Sequence, residues 1–230
     1  MEPSAHIIDL FSNEWIRNNI LIVVFIIAYL QIGKRLSKKY TWYFGVLISL
    51  VLIGTTITGH TRNIINGYWN ISDNLPLHLC GISNLISCFI LFIPKNKRLF
   101  EFLFYAGIIG AFQSFFTPQI NNFDGTTYEY LEYYLSHVGI MLLPIYMYKS
   151  LGYTLEKYSW LRVVFYLNIL LVIILPLNFL IDSNYMYLAY RPNVDNPLII
   201  GEWPFYIMFW ELFLVLLTYL LYVVSTGKRI

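Results

Sequence analysis

The ten residues Leu75-Pro76-Leu77-His78-Leu79-Cys80-Gly81-Ile82-Ser83-Asn84 place an imidazole and a thiol two positions apart, where a polar stretch gives way to an apolar one. A thiolate is a nucleophile and an imidazole can take its proton, the pairing used in acyl transfer. On an ideal helix a separation of two turns His78 about 200° away from Cys80, so His78 is a poor base unless Pro76 distorts the turn. Asn84, four residues beyond Cys80, shares its face. His137 lies in another apolar run and is the better partner, a base brought to the nucleophile from a second helix.

The elements that must position these groups are membrane helices. The chain has 230 residues, of which 58% are hydrophobic and only 12% charged. A soluble domain carries roughly 25% charged residues, so the composition is that of an integral membrane protein. Six Trp and 20 Tyr suit aromatic belts at the membrane interfaces. The net charge of +2 gives no signal for nucleic acid. Cys80 and Cys88 lie about 12 Å apart along one helix, too far for a disulfide, and are expected as free thiols. The first 15 residues hold Glu2, Asp9 and Glu14 without a basic leader, so no cleavable signal peptide is expected.

Seven apolar runs of near-spanning length come after an interfacial segment at 1–17: 18–33, 41–59, 76–93, 99–117, 128–148, 160–181 and 205–225. Polar loops are expected from His60 to Asn74 and over 119–127, and an amphipathic link before the sixth run. The expectation is one all-α domain over 1–230, a polytopic helix bundle, because backbone groups in lipid must be satisfied within the helix. Lys34, Arg35, Lys38, Lys39, Lys95, Lys97, Arg98, Lys149, Lys157, Arg162, Lys228 and Arg229 all fall on one side of this topology, 12 of the 15 basic residues. The positive-inside rule then puts the N-terminus outside and the C-terminus in the cytoplasm of a multi-pass cell-membrane protein.

With that topology the polar residues gather at one depth, in the outer half: His60 at the end of the second run, His78, Cys80 and Asn84 in the third, Gln113 and Ser114 in the fourth, and Glu132, Ser136 and His137 in the fifth. Ionisable groups within a membrane are costly and tend to mark function. The 22-residue connection 182–203 holds Tyr185, Tyr187, Tyr190, Arg191 and Trp203. It reads either as an aromatic belt or as a lid whose Arg191 pairs with a lipid phosphate. Glu101 opens the fourth run, where a helix N-terminus favours a carboxylate. Glu211, inside the seventh, needs a partner or a proton. Gly107, Gly110, Gly139 and Ser136 suit close helix approach.

The residues alone leave plainer readings open. A lone cysteine near a helix start also serves as a small buried hydrophobe, the expected role of Cys88. A membrane histidine also serves as an interhelical hydrogen-bonding group. His60, His78, Cys80 and His137 do not follow a zinc-ligand spacing, and no metal is assigned.

Several pieces together resemble the YwaF-like bacterial integral membrane proteins: Leu75-Pro76-Leu77-His78-Leu79-Cys80, Phe115-Phe116-Thr117-Pro118, Ser136-His137, Asn184-Tyr185-Met186-Tyr187-Leu188, Arg191-Pro192 and Trp203-Pro204. The resemblance spans about residues 40–225. That family looks related to an animal multi-span enzyme that moves a polyunsaturated acyl chain onto a lyso ether phosphatidylethanolamine through a cysteine and a histidine on separate spans. By motif these fall on Cys80 and His137.

The resemblance implies a membrane acyltransferase or transacylase acting on phospholipid or lysophospholipid at the outer leaflet. Cys80 is the nucleophile and His137 the base. Asn84, Gln113 or Ser114 donates to the oxyanion, and Arg62 or Arg191 holds phosphate. His60, His78, Tyr187 and Trp203 complete the substrate site. An ester donor needs no cofactor. The alternative class is a non-enzymatic binder or transporter of lipids or small molecules using the same cavity. Seven runs do not divide into the paired repeats common in transporters.

Overall fold

The computed structural model describes residues 4–192 and 199–227. Residues 1–3, the 193–198 part of the long connection and residues 228–230, with Lys228 and Arg229 among them, lie outside it. The fold is nearly all helical, 72% helix with 3% strand. In chain order it comprises β1 (Ser4–Ile7), α1 (Asn13–Arg35), α2 (Lys38–Ile65), α3 (Leu79–Phe89), α4 (Lys97–Phe102), α5 (Ile108–Phe116), β2 (Gln119–Phe123), α6 (Thr127–Ser150), α7 (Ser159–Leu180) and α8 (Phe205–Thr226). Short 3₁₀ turns follow α3 at Ile90–Phe92 and α7 at Tyr185–Tyr187.

Local sequence explains most boundaries. The Ser12 hydroxyl caps α1 by accepting from the Trp15 N–H at 3.2 Å. Thr126 caps α6 by accepting from the Glu129 N–H at 3.4 Å, a Thr-x-x-Glu capping-box spacing. Gly227, in the left-handed region at φ 65°, ends α8. Between α4 and α5 the helix widens into a fully buried π turn, Leu103–Gly107. A π turn takes in an extra residue and rotates the helix beyond it. Here that rotated segment is α5, which carries Gly110, Gln113 and Ser114.

Several boundaries differ from the sequence expectation. The interfacial segment 1–17 divides into strand β1 and the first turn of α1. The loop expected over 119–127 is mostly strand β2. β1 and β2 pair antiparallel, with His6 opposite Ile120, Ile7 opposite Gln119, and an irregularity between Ser4 and His6. The loop expected from His60 begins later, because α2 runs on to Ile65.

Among the described residues five helical runs are long and apolar enough to cross a membrane: α1, α2, the α4–α5 run, α7 and α8. The other two of the seven expected spans are α3, of only 11 residues before its 3₁₀ turn, and α6, whose first half carries Glu129 and Glu132. Their composition reflects their place. α6 packs against α1, α2, α3 and α5, and α3 packs against α2 and α6. A helix walled by protein need not be apolar all round.

The core is a belt of tightly packed aromatic and aliphatic side chains, with Phe100, Leu103, Tyr105, Leu143 and Tyr146 all at 0% exposure. Lipid is as apolar as a leucine side chain, so close packing rather than water exclusion holds such helices together. Gly139 of α6 shows how close: a Cβ there would lie 2.6 Å from Leu52 of α2. At one end of the bundle Glu101 is buried and ion-paired with Arg98 and Arg162, both at 3.0 Å. Glu156 joins them and pairs with Lys97 at 2.9 Å. Glu101 is the fifth residue of α4 and not in its first turn, so these ion pairs, and not the helix N-terminus expected from the sequence, support its charge. Glu211 finds a partner in the Asn168 amide, which donates at 3.0 Å.

Candidate functional site

At the opposite end of the bundle from these ion pairs lies a cavity of about 610 Å³. Four helices build most of its wall, and α8 adds Trp210. The last third of α2 contributes Thr55, Thr56 and His60. The start of α3 contributes Cys80 and Asn84, preceded by His78. The end of α5 contributes Gly110, Gln113 and Ser114, and the first half of α6 contributes Glu129, Glu132, Tyr133 and His137. Strand β2 and the 3₁₀ turn bearing Tyr187 close the rim. Eight of the eleven residues singled out in the sequence therefore line one cavity: His60, His78, Cys80, Asn84, Gln113, Ser114, His137 and Tyr187.

Arg62, Arg191 and Trp203 are held elsewhere. The Arg62 guanidinium is ion-paired with Asp124 and with Glu129 at 3.2 Å, and lies over the Tyr128 ring at 4.9 Å. Burial works against the Asp124 charge, but hydrogen bonds from Thr126 and Arg62 outweigh it and keep the carboxyl below its ordinary pKa. Arg191 pairs with Glu202 at 3.1 Å, and the Trp203 indole N–H donates to the Leu188 carbonyl at 2.8 Å. No Lys or Arg is among the described residues lining the cavity, whereas Asp73, Glu129 and Glu132 are. A guanidinium with a local carboxylate partner is already satisfied, which sequence spacing alone does not reveal.

Cys80 and Cys88 are free thiols. Gly110 makes room for Cys80: a Cβ on residue 110 would lie 3.3 Å from the sulfur. The Ser114 hydroxyl donates to the Gly110 carbonyl at 3.1 Å, so its lone pairs face the thiol, whose sulfur is 3.8 Å from that oxygen. The resting thiol proton is therefore directed at Ser114. Gly81 is confined as well. A Cβ there would lie 2.9 Å from the Cα of Pro76, backbone that cannot swing aside.

His137 is oriented by its own helix. Its Nδ1 lies 2.6 Å from the Tyr133 carbonyl oxygen, which can only accept, so the Nδ1 carries the proton. The Nε2 is then left with its lone pair free, the form a general base needs. The Tyr133 ring packs on the imidazole, centroids 4.4 Å apart, and the Tyr133 hydroxyl donates to the Ser114 carbonyl at 2.8 Å. Sequence reasoning missed Tyr133, because its contribution runs through a carbonyl and a ring face.

Asn84 donates its amide to Thr56 at 2.7 Å, and its carbonyl oxygen is buried without a partner. It presents an acceptor, which is unsuited to an oxyanion. Ser114 already spends its proton on Gly110. Gln113 has no side-chain partner among the described residues and keeps both amide protons available.

The family comparison agrees with this membrane architecture. Residues 10–222 match the family model of the TMEM164 family. The chain belongs to that family. TMEM164 is a multi-span membrane family, and the match takes in every residue of the cavity wall named above. No curated protein and no solved structure matches the chain.

Proposed function

We propose that this TMEM164-family chain is a membrane acyltransferase that moves an acyl chain between phospholipid and lysophospholipid through a thioester on Cys80. The observation that carries the reading is that Cys80 and His137, from two different helices, line one cavity. All seven helical runs cross the membrane in this reading, with the N-terminus outside. The cavity then opens to the outer leaflet and the Lys97–Glu156 end faces the cytoplasm.

The chemistry is a double displacement. His137 takes the Cys80 thiol proton on Nε2. The sulfur attacks the donor ester carbonyl, and Gln113 donates to the developing oxyanion. The carbon–oxygen bond to the glycerol backbone breaks, and the protonated His137 returns its proton to the departing lysolipid. The acceptor hydroxyl then gives its proton to His137 and attacks the thioester; the carbon–sulfur bond breaks and His137 returns the proton to the departing Cys80 sulfur. An outward site is out of reach of cytoplasmic acyl-CoA, and an ester donor requires no metal or cofactor.

The test is transfer in vesicles that contain the purified protein, a phospholipid with a deuterated acyl chain and an unlabelled lysophospholipid. Label is expected to appear on the acceptor lipid with wild type. Cys80→Ser is expected to lower the rate by at least about 10³-fold, in the range seen when a covalent nucleophile is removed. Unchanged lipid binding with no transfer by the wild type would favour the binder or transporter reading.

A further inference from the structure

The three histidines of the cavity wall do not carry their protons on the same nitrogen. His137 donates from Nδ1 to a carbonyl and keeps Nε2 bare. His60 does the opposite: the indole N–H of Trp69, a group that can only donate, points at its Nδ1 at 3.1 Å. The same holds for His78, whose Nδ1 receives the backbone N–H of Met186 at 3.2 Å. A ring nitrogen that accepts a hydrogen bond cannot also bear a proton. His60 and His78 are therefore neutral imidazoles with the proton on Nε2. The His78 ring is further fixed between Tyr185 and Tyr187, with centroids at 5.2 and 5.4 Å. Neither Nε2–H has a hydrogen-bond partner among the described residues, although both side chains line the cavity.

These are N–H donors in a wall that holds no Lys or Arg among its described residues. The two arginines expected to bind phosphate are occupied by carboxylates. We propose that His60 and His78 hold the headgroup phosphodiester of a phospholipid through their Nε2–H groups, the subsite resting on the phospholipid reading above. The resulting division of labour is set by tautomer: two histidines donate to the headgroup and one accepts the reaction's proton. Neutral donors suit a headgroup that must be released each cycle, because they bind phosphate without the full attraction of a guanidinium. The carboxylate of Asp73 on the same wall disfavours a headgroup with net negative charge.

Binding can be separated from chemistry in the Cys80→Ser protein. In maltoside micelles the affinity for radiolabelled lysophosphatidylcholine would be compared with that for a monoacylglycerol of the same chain, which lacks phosphate. The parent is expected to prefer the phosphate lipid. His60→Phe and His78→Phe are each expected to weaken it about tenfold, the scale of a hydrogen bond to a charged group, and to leave the monoacylglycerol unchanged. His78→Gln, whose amide N–H reaches near the Nε2 position, is expected to recover most of the loss. Equal binding of both lipids by the parent would overturn the subsite and leave the acyltransferase reading standing. Binding of neither would overturn both. Competition by millimolar inorganic phosphate equal to that by glycerophosphocholine would mean a free-phosphate site and overturn the lipid assignment. Independently of any variant, ¹⁵N spectra of the wild type are expected to show Nε2–H at His60 and His78 and Nδ1–H at His137. An Nδ1–H at His60 or His78 would contradict the proposal.

Discussion

Tyr133 ties the two proposed reacting groups to one frame. Its carbonyl fixes the His137 tautomer, its ring packs on the imidazole, and its hydroxyl fixes the end of α5 beside Cys80. Tyr133→Phe keeps the carbonyl and the ring; of the two bonds its hydroxyl makes, to the Ser114 carbonyl and from the Gln119 N–H, only the first reaches α5 beside Cys80. Transfer is expected to fall about tenfold, the scale of one hydrogen bond, with the pH profile unchanged, since the base is untouched. Vesicle assays between acid and alkaline pH check both. Gly81→Ala probes the turn ahead of Cys80. Its new methyl meets Pro76 backbone at 2.9 Å, and overpacking of this kind costs about 1–3 kcal/mol, read as a lower melting temperature in detergent. At this scale much was legible. Residue type made Cys80 and His137 candidates, the resemblance made them the preferred pair, and the structure sets both on one cavity wall. The competing partners stayed hidden: an arginine met by a carboxylate, an asparagine amide already spent on Thr56.

Helix α6 is the element on which the site depends, since it touches most of its neighbours and carries His137. Its polarity was visible in Glu129 and Glu132, but its central position was not, because hydropathy reads a polar helix as a weak span. The β1–β2 ribbon was likewise hidden, since short strands far apart in sequence leave no periodic signal. At the other end the ion cluster joins α4, α7 and the link after α6. Salt bridges from Lys97 and Arg98 pull the Glu156 carboxyl down from 4.5 to about 2. A carboxyl depressed in the folded state stabilises the fold above its ordinary pKa and loses that contribution as pH falls through the folded value. Thermal stability is therefore expected to drop between about pH 4.5 and 2, and Glu156→Gln to flatten that drop in melting curves. Glu101→Gln leaves the part-exposed Arg98 and Arg162 paired with Glu156 alone and is expected to cost about 1 kcal/mol at neutral pH.

For the whole molecule the distribution of charge is the main organising feature. Most basic residues, with the Glu101 and Glu156 ion pairs, occupy one end, and the histidines, Cys80 and the acidic wall, with the pairs of Arg62 and Arg191, occupy the other. Five of the seven expected spans were legible in hydropathy and are long and apolar enough to cross a membrane, because lipid imposes length and composition on every exposed run. The sidedness proposed here can be checked with single cysteines in a Cys80→Ser, Cys88→Ser background. Asn121→Cys is expected to react with an impermeant maleimide on intact cells, and Lys157→Cys only after permeabilisation. The most direct test of the central claim is the intact mass of the purified protein after incubation with phospholipid. Wild type is expected to carry one acyl chain that hydroxylamine removes, and Cys80→Ser none. An adduct that persists in Cys80→Ser, or its absence from wild type while label still moves between lipids, would contradict a thioester on Cys80.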